Sequence, residues 1–150
     1  ARIMSLRDGN AKMSKSDPSD LSRINMSDDD ETIARKLKKA KTDPEPLPDN
    51  MADLADRPEA RNLIGIYAAL ADQSQEAVLA EYAGKGFGDF KPALADLAVS
   101  KLSPIRQRFE ELRKDTAAID AILRDGSEKA SALARPTVEA AYAALGLLRN

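Results

Sequence analysis

The sequence predicts a mostly α fold, a bundle-like set of helices preceded by one strand and a polar loop, and three observations predict it. The 150 residues hold 26 alanines against three phenylalanines, three tyrosines and no tryptophan, a composition that favours helices over sheets. Apolar residues recur every three or four positions through most of the second half, as one face of a helix requires. Clusters of Val, Ile, Thr and aromatic residues, from which a sheet would be built, are scarce after the first six positions.

In chain order, Ile3, Met4, Ser5 and Leu6 form a short apolar run closed by Asp8, Gly9 and Asn10, which reads as a strand entering a turn. A buried strand needs neighbours and none follows, so this one is expected to be held by another chain or by the surface of the helices. Residues 12–25 are polar, and Asp17 before Pro18 blocks a helix there, so they read as a loop. Ser27 followed by Asp30 is a capping-box pattern. With Asp28–Glu31 at one end and Arg35, Lys36, Lys38, Lys39 and Lys41 at the other, it predicts a helix over about 28–41. Its apolar face is narrow: Ile33, Ala34, Leu37 and Ala40. Three prolines make 42–57 an irregular connection.

Pro58 opens a helix with the stripe Leu63, Ile66, Tyr67 and Leu70. Ser74 caps the next, carrying Val78, Leu79 and Tyr82, and Gly84 ends it. Gly84–Phe90 reads as a glycine-rich turn. From Phe90, the positions Leu94, Leu97, Leu102, Ile105, Phe109 and Leu112 predict a long packed helix with a kink at Pro104. A last helical region, about 116–146, carries Ile119, Ile122, Leu123, Leu133, Val138, Tyr142 and Leu145 inward, bent or interrupted at Gly126 and Pro136. Phe87, Phe90 and the three tyrosines are expected in the core. The stripes from residue 58 onward read as mutually sufficient, so removing residues 1–25 is expected to leave the melting temperature nearly unchanged.

With no cysteine and no histidine, disulfide scaffolds, thiolate metal sites and nucleophilic mechanisms of the Ser-His-Asp or Cys-His kind are excluded. A net charge of -2 gives no bulk attraction to nucleic acid or anionic lipid, so such contacts must come from a local patch. Without a long apolar run or a signal peptide, the expectation is a cytoplasmic protein with no membrane and no DNA as partner. The start at Ala1, directly in an apolar stretch, reads as a piece of something longer.

The feature that carries chemistry is Lys12, Met13, Ser14, Lys15 and Ser16. Two ammonium groups and two hydroxyls on a turn suit a polyphosphate, since lysine acts as a point charge that can follow moving oxygens. The same residue types also suit a plain solvated turn.

The string KMSKS resembles the signature of class I aminoacyl-tRNA synthetases. Its surroundings, ARIMSL before it, SDP after it, then RPEARNLIGIY, EYAGKGFGDFK and LSPIRQRFEELR, resemble in order and spacing the C-terminal part of bacterial tryptophanyl-tRNA synthetases. The resemblance covers essentially the whole chain. It departs at residues 9–11, where Gly-Asn-Ala replaces a stretch like Pro-Thr-Lys, and at Pro136.

The resemblance implies the end of a Rossmann-type catalytic domain with its signature loop over 1–25, and a helical anticodon-binding domain over 26–150. It implies Lys12 and Lys15 on the phosphates of ATP, with Lys15 toward the leaving group, Ser14 and Ser16 donating hydrogen bonds or shaping the turn, and the backbones of Ile3 and Met13 beside adenine. ATP would arrive with magnesium, with no protein metal site. Partners would be tRNA(Trp), ATP and tryptophan, in a homodimeric parent that needs a HIGH-type motif this histidine-free chain lacks. Candidate tRNA contacts are Lys85, Lys91, Lys101, Arg106 and Arg108, together with the basic cluster 35–41, which equally suits a helix C-terminus. Two alternatives are a helical interaction or oligomerisation module with a coincidental KMSKS, and the same portion of a tyrosine-specific synthetase.

Overall fold

Capping chemistry decides where the helices begin and end in the computed structural model, which describes residues 2–147. The elements are α1 (Asp30–Lys38), α2 (Pro58–Ala71), α3 (Gln75–Tyr82), α4 (Phe87–Lys114) and α5 (Thr116–Leu145), with short 3-10 turns at Asp20–Ser22 and Ala52–Leu54. No strand is present among the described residues. The segment predicted as one makes a single antiparallel bridge, Met4 to Lys12.

The cap of α1 is Asp29, whose side chain accepts from the Thr32 N–H at 2.7 Å, two positions beyond the expected Ser27. Asp28 is unavailable as a helix opener because its carboxylate already accepts from the Asn25 N–H at 2.8 Å. The helix also ends earlier than expected. The Lys41 N–H leaves the helical register to donate to the Leu6 carbonyl at 2.8 Å. Pro58 occupies the first turn of α2, and Ser74 caps α3 by accepting from Ala77, both as predicted. The glycine-rich turn is shorter than expected: α4 starts at Phe87, so that Phe87 and Phe90, three apart, bury the inner face of its first turn.

The core of residues up to 109 gathers Ile33 and Leu37 from α1, Leu63 and Ile64 from α2, Val78 and Leu79 from α3, and Phe90 and Leu94 from α4. Tyr67, Tyr82 and Phe90 pack edge-on or tilted with centroids 5.0–5.6 Å apart, and the two tyrosine hydroxyls lie 3.1 Å from each other. Burial raises the Tyr82 phenol above its usual range, with the Tyr67 hydroxyl adding to the shift. The proline-rich connection is held by Arg57, which donates to Asp43 at 2.6 and 3.0 Å and to the carbonyls of Glu45 and Pro46.

Leu6 belongs to this core and is 1% exposed. Its N–H donates to the Ser22 carbonyl at 2.9 Å, and Ser22 is itself buried. The helices from residue 58 onward are therefore not packed independently of residues 1–25, and the expectation of a nearly unchanged melting temperature without that segment has a buried leucine, worth about 1.5–3 kcal/mol, against it.

Packing divides the described residues into one unit up to Phe109 and another from Glu110 onward. Two expected core residues of α4, Ile105 and Phe109, are exposed, Ile105 by 52%. No residue of α5 is buried. Ile122, Leu123, Leu133, Val138, Tyr142 and Leu145, expected inward, are exposed, Leu133 by 83%, and Ile119 is only half-buried. Spacing puts Ile119, Ile122 and Leu123 on one face and Val138, Tyr142 and Leu145 on another; burying either takes a second surface. The helix runs unbroken through Gly126 and Pro136, and α4 likewise through Pro104. Asp115 caps α5 on Ala118, and Gly146 (φ 64°) ends it with the Leu147 N–H donating to the Tyr142 carbonyl.

Candidate functional site

The KMSKS turn stands on two separate footings. On its N-terminal side, the Ser5 N–H donates to Ala11 O at 2.8 Å and the Met13 N–H to Ile3 O at 3.1 Å, on either side of the Met4–Lys12 bridge. The outer polar groups of Met4, which a neighbouring strand would satisfy, are satisfied by one side chain. Asn62 of α2 accepts from the Met4 N–H at 3.0 Å and donates to the carbonyls of Met4 and Ser5 at 3.0 and 3.3 Å. An amide supplies donor and acceptor together, as a backbone does.

The expectation that the surface of the helices holds the orphan strand agrees with this geometry. Gly9 brings the turn against the start of α2, where a Cβ would run into the backbone of Pro58 and Glu59. Glu59 accepts from Lys41 at 2.8 Å, which with the Gly9 N–H holds its carboxyl below the usual range.

On the C-terminal side, Arg23 donates to the carbonyls of Asp17 at 2.8 Å and Ser19 at 3.3 Å. The Asp17 carboxylate accepts from the Ser19 N–H at 2.7 Å. Asp20 then pairs with Lys36 of α1 at 2.7 Å. Between the footings, the turn is closed by the Asp17 N–H on Ser14 O and the Ser16 N–H on the Ser14 hydroxyl, at 3.3 and 3.2 Å.

Lys12, Ser14, Lys15 and Ser16 are exposed and Met13 is half-buried. Among the described residues neither lysine is in an ion pair, so both charges face solvent on a fixed turn. Ile3 and Met13, whose backbones are expected beside adenine, are joined directly by the Met13 N–H donating to the Ile3 carbonyl. A cavity of about 490 Å³ opens next to Ile3 and Met4, lined also by Arg2, Arg61 and Asn62.

The other basic candidates are dispersed. Lys85 is exposed, its ammonium 4.8 Å from the Tyr82 ring centroid. Lys91 donates to the Ala40 carbonyl at 2.7 Å beside the Phe87 ring, and burial holds its ammonium below the usual lysine range. Arg106 lies 3.3 Å from Asp30. Lys101 and Arg108, seven apart on α4, are exposed on one face. In the 35–41 cluster, Lys36 is completely buried between Asp20 and Asp28.

Asn62 and Arg23 were missed as site residues, and Lys36 was expected only as one of the 35–41 cations that could meet tRNA, which its complete burial prevents. Lys36 did leave a signal: Ile33, Lys36 and Leu37 share the inward register of α1, so a lysine there must bring a counter-charge inside.

Residues 1–103 match the family described as tRNA synthetases class I (W and Y). The chain belongs to that family. It is 58% identical over all 150 residues to the tryptophan–tRNA ligase of Mesorhizobium japonicum and 61% identical over 148 residues to that of Rhizobium meliloti. It spans 42% of the length of each of these relatives. A solved tryptophanyl-tRNA synthetase from Mycoplasma pneumoniae superposes on 99% of the chain and 46% of its own, with a TM-score of 0.76 and 28% identity. That from Campylobacter jejuni covers 98% of the chain and 44% of its own, with a TM-score of 0.66 and 26% identity. The helical architecture is thus that of the C-terminal part of these synthetases. No helix of the described residues is long and apolar enough to cross a membrane.

Proposed function

We propose that the chain is the C-terminal part of a tryptophan–tRNA ligase and supplies its ATP-phosphate loop and its tRNA-recognition helices. The observation that carries this reading is the exposed pair Lys12 and Lys15 on a turn braced from both sides, within a chain whose relatives at 44–62% identity are named for tryptophan rather than tyrosine. In such a ligase the tryptophan carboxylate attacks the α-phosphate of ATP and pyrophosphate leaves. Negative charge moves onto the leaving oxygens, and cations already in place lower the barrier most at that point.

Lys15 is assigned to the leaving group and Lys12 to the neighbouring phosphates. Ser14 and Ser16 shape the turn, and the backbones of Ile3 and Met13 meet adenine. Residues 12–16 offer ammonium groups and hydroxyls but no carboxylate, so magnesium belongs with the ATP rather than with this loop. Lys85, Lys101 and Arg108, exposed on α4 or just before it, are assigned to the tRNA backbone, whose recognition by a chain of net charge -2 depends on such local cations.

In the complete ligase, Lys15→Ala should lower kcat for tryptophan-dependent pyrophosphate exchange by roughly 100-fold, with a much smaller change in KM for ATP. A change confined to KM would remove the assigned role. The 150 residues alone should show no exchange.

A further inference from the structure

Among the described residues, Lys36 has the most fully enclosed charge, and none of the proposed chemistry uses it. Its Nζ lies 2.6 Å from Asp28 Oδ2 and 2.7 Å from Asp20 Oδ2, and the residue has no exposed surface. Asn25 closes the ring, donating from its side chain to Asp20 at 3.0 Å and to Asp28 at 3.3 Å. Arg23 joins from the other side, 3.4 Å from Asp20, while it grips the carbonyls of Asp17 and Ser19. The Asp20 carboxyl is held below the usual range, first by its bond to Lys36 and then by Asn25.

One end of this network is unlike the other. Asp28 is nearly buried and also accepts from the Asn25 N–H just ahead of α1, whereas the Asp20 side chain is 58% exposed. An exposed carboxylate gains little from a surface ion pair. This one reaches a fully buried ammonium, so it transmits the position of α1 to the segment that begins one residue after the signature. The N-terminal footing, by contrast, rests on α2 through Asn62 and Gly9.

We propose that Lys36 is a positioning residue for the KMSKS turn, acting through Asp20 and Arg23 to fix where Lys15 stands relative to the ATP phosphates. The inference rests on the function proposed above. Lys36 touches no substrate; it sets the C-terminal footing of the turn, and α1 and the turn move as one body. Small displacements of a charge from a developing anion are costly in rate, on the order of 10²-fold for about 1 Å.

The test is a double-mutant cycle in the complete ligase, read by tryptophan-dependent pyrophosphate exchange and by thermal melting. Asp20→Ala cuts the link at its exposed end, where folding should survive. It should lower kcat roughly tenfold and leave KM for tryptophan unchanged, with a melting shift of no more than a few degrees. On a Lys15→Ala background the same change should lower kcat by no more than about twofold, because the group being positioned is gone.

Lys36→Met should show the same pattern per folded molecule. A tenfold loss repeated in full on the Lys15→Ala background would overturn the proposal, as would Asp20→Ala with unchanged kcat where Lys15→Ala is impaired. Lys36→Met that lowers only the melting temperature would make the lysine structural and overturn it as well. If Lys15→Ala itself left kcat unchanged, the failure would lie in the function proposed for the loop, and this inference would fall with it.

Discussion

Helices α2 and α5 carry apolar residues at the same helical spacing, yet α2 buries Ala60, Leu63, Ile64, Ile66 and Ala68 and α5 buries nothing. Both satisfy the local rules for a helix. Each has suitable end chemistry, Pro58 in the first turn of one and Asp115 and Gly146 at the ends of the other. The difference lies in what surrounds them. Around α2, Ile3, Leu6, α3 and the start of α4 supply apolar side chains, while most apolar residues of α5 are left exposed. A stripe states which face a helix offers; only a second element converts the offer into stability.

Removing residues 1–25 would test the packed side of this contrast most severely. Leu6 and Ser22 would leave the core and three bonds of Asn62 would lose their partners. A fall in melting temperature on the order of 10 °C or more is expected in residues up to 109. An unchanged melt would show that the helices close on themselves without the segment.

Asn62→Ala probes the same junction more gently. The Met4 N–H and the carbonyls of Met4 and Ser5 would be left facing a site that holds no replacement, at a cost of about 1–3 kcal/mol. Urea unfolding measures it. A cost under about 0.5 kcal/mol would mean that water serves these groups as well as the amide does.

Much of this was legible in the sequence. The helix starts at Pro58 and Ser74, the core roles of Phe87, Phe90, Tyr67 and Tyr82, and the polar turn with its two lysines follow from spacing and local chemistry. What was not legible depends on residues distant in sequence. Lys36 looks like one more cation at a helix end until Asp20 and Asp28 are brought to it. Asn62 looks like an indifferent residue in a helix until Met4 lies alongside, 58 residues away. The cap shifted from Ser27 to Asp29 because Asp28 was claimed by Asn25 and Lys36. The stripe of α5 was readable, and its exposure was not, because periodicity carries no information about neighbours.

Acid should separate the two regions further. Asp20, paired with Lys36, and Glu59, paired with Lys41, have carboxyls held below the usual range in the folded chain. A depressed folded value means that the contribution is fully present above the unfolded value, about pH 4, and is lost as pH falls through the folded value. Melting of residues up to 109 should therefore be flat from about pH 7 to 5 and decline below about pH 4. A decline that began near pH 6 would point to groups other than these carboxylates.

The smallest expected effect is the one that bears hardest on α5. Leu133 is among its most exposed large residues, and Leu63 is fully buried on α2. Leu63→Ala removes the same atoms from a closed core and should cost about 2–5 kcal/mol, the transfer of the side chain plus the cavity left behind. Leu133→Ala removes them from water, where no cavity forms and alanine is the better helix former, so stability of the 150-residue chain should change by less than about 0.5 kcal/mol in either direction. Hydrogen exchange along α5, compared with urea unfolding of both variants, distinguishes local from global loss. A penalty for Leu133→Ala approaching that of Leu63→Ala would show that the stripe is covered in solution, and the contrast between the two helices would then be one of order in assembly rather than of burial.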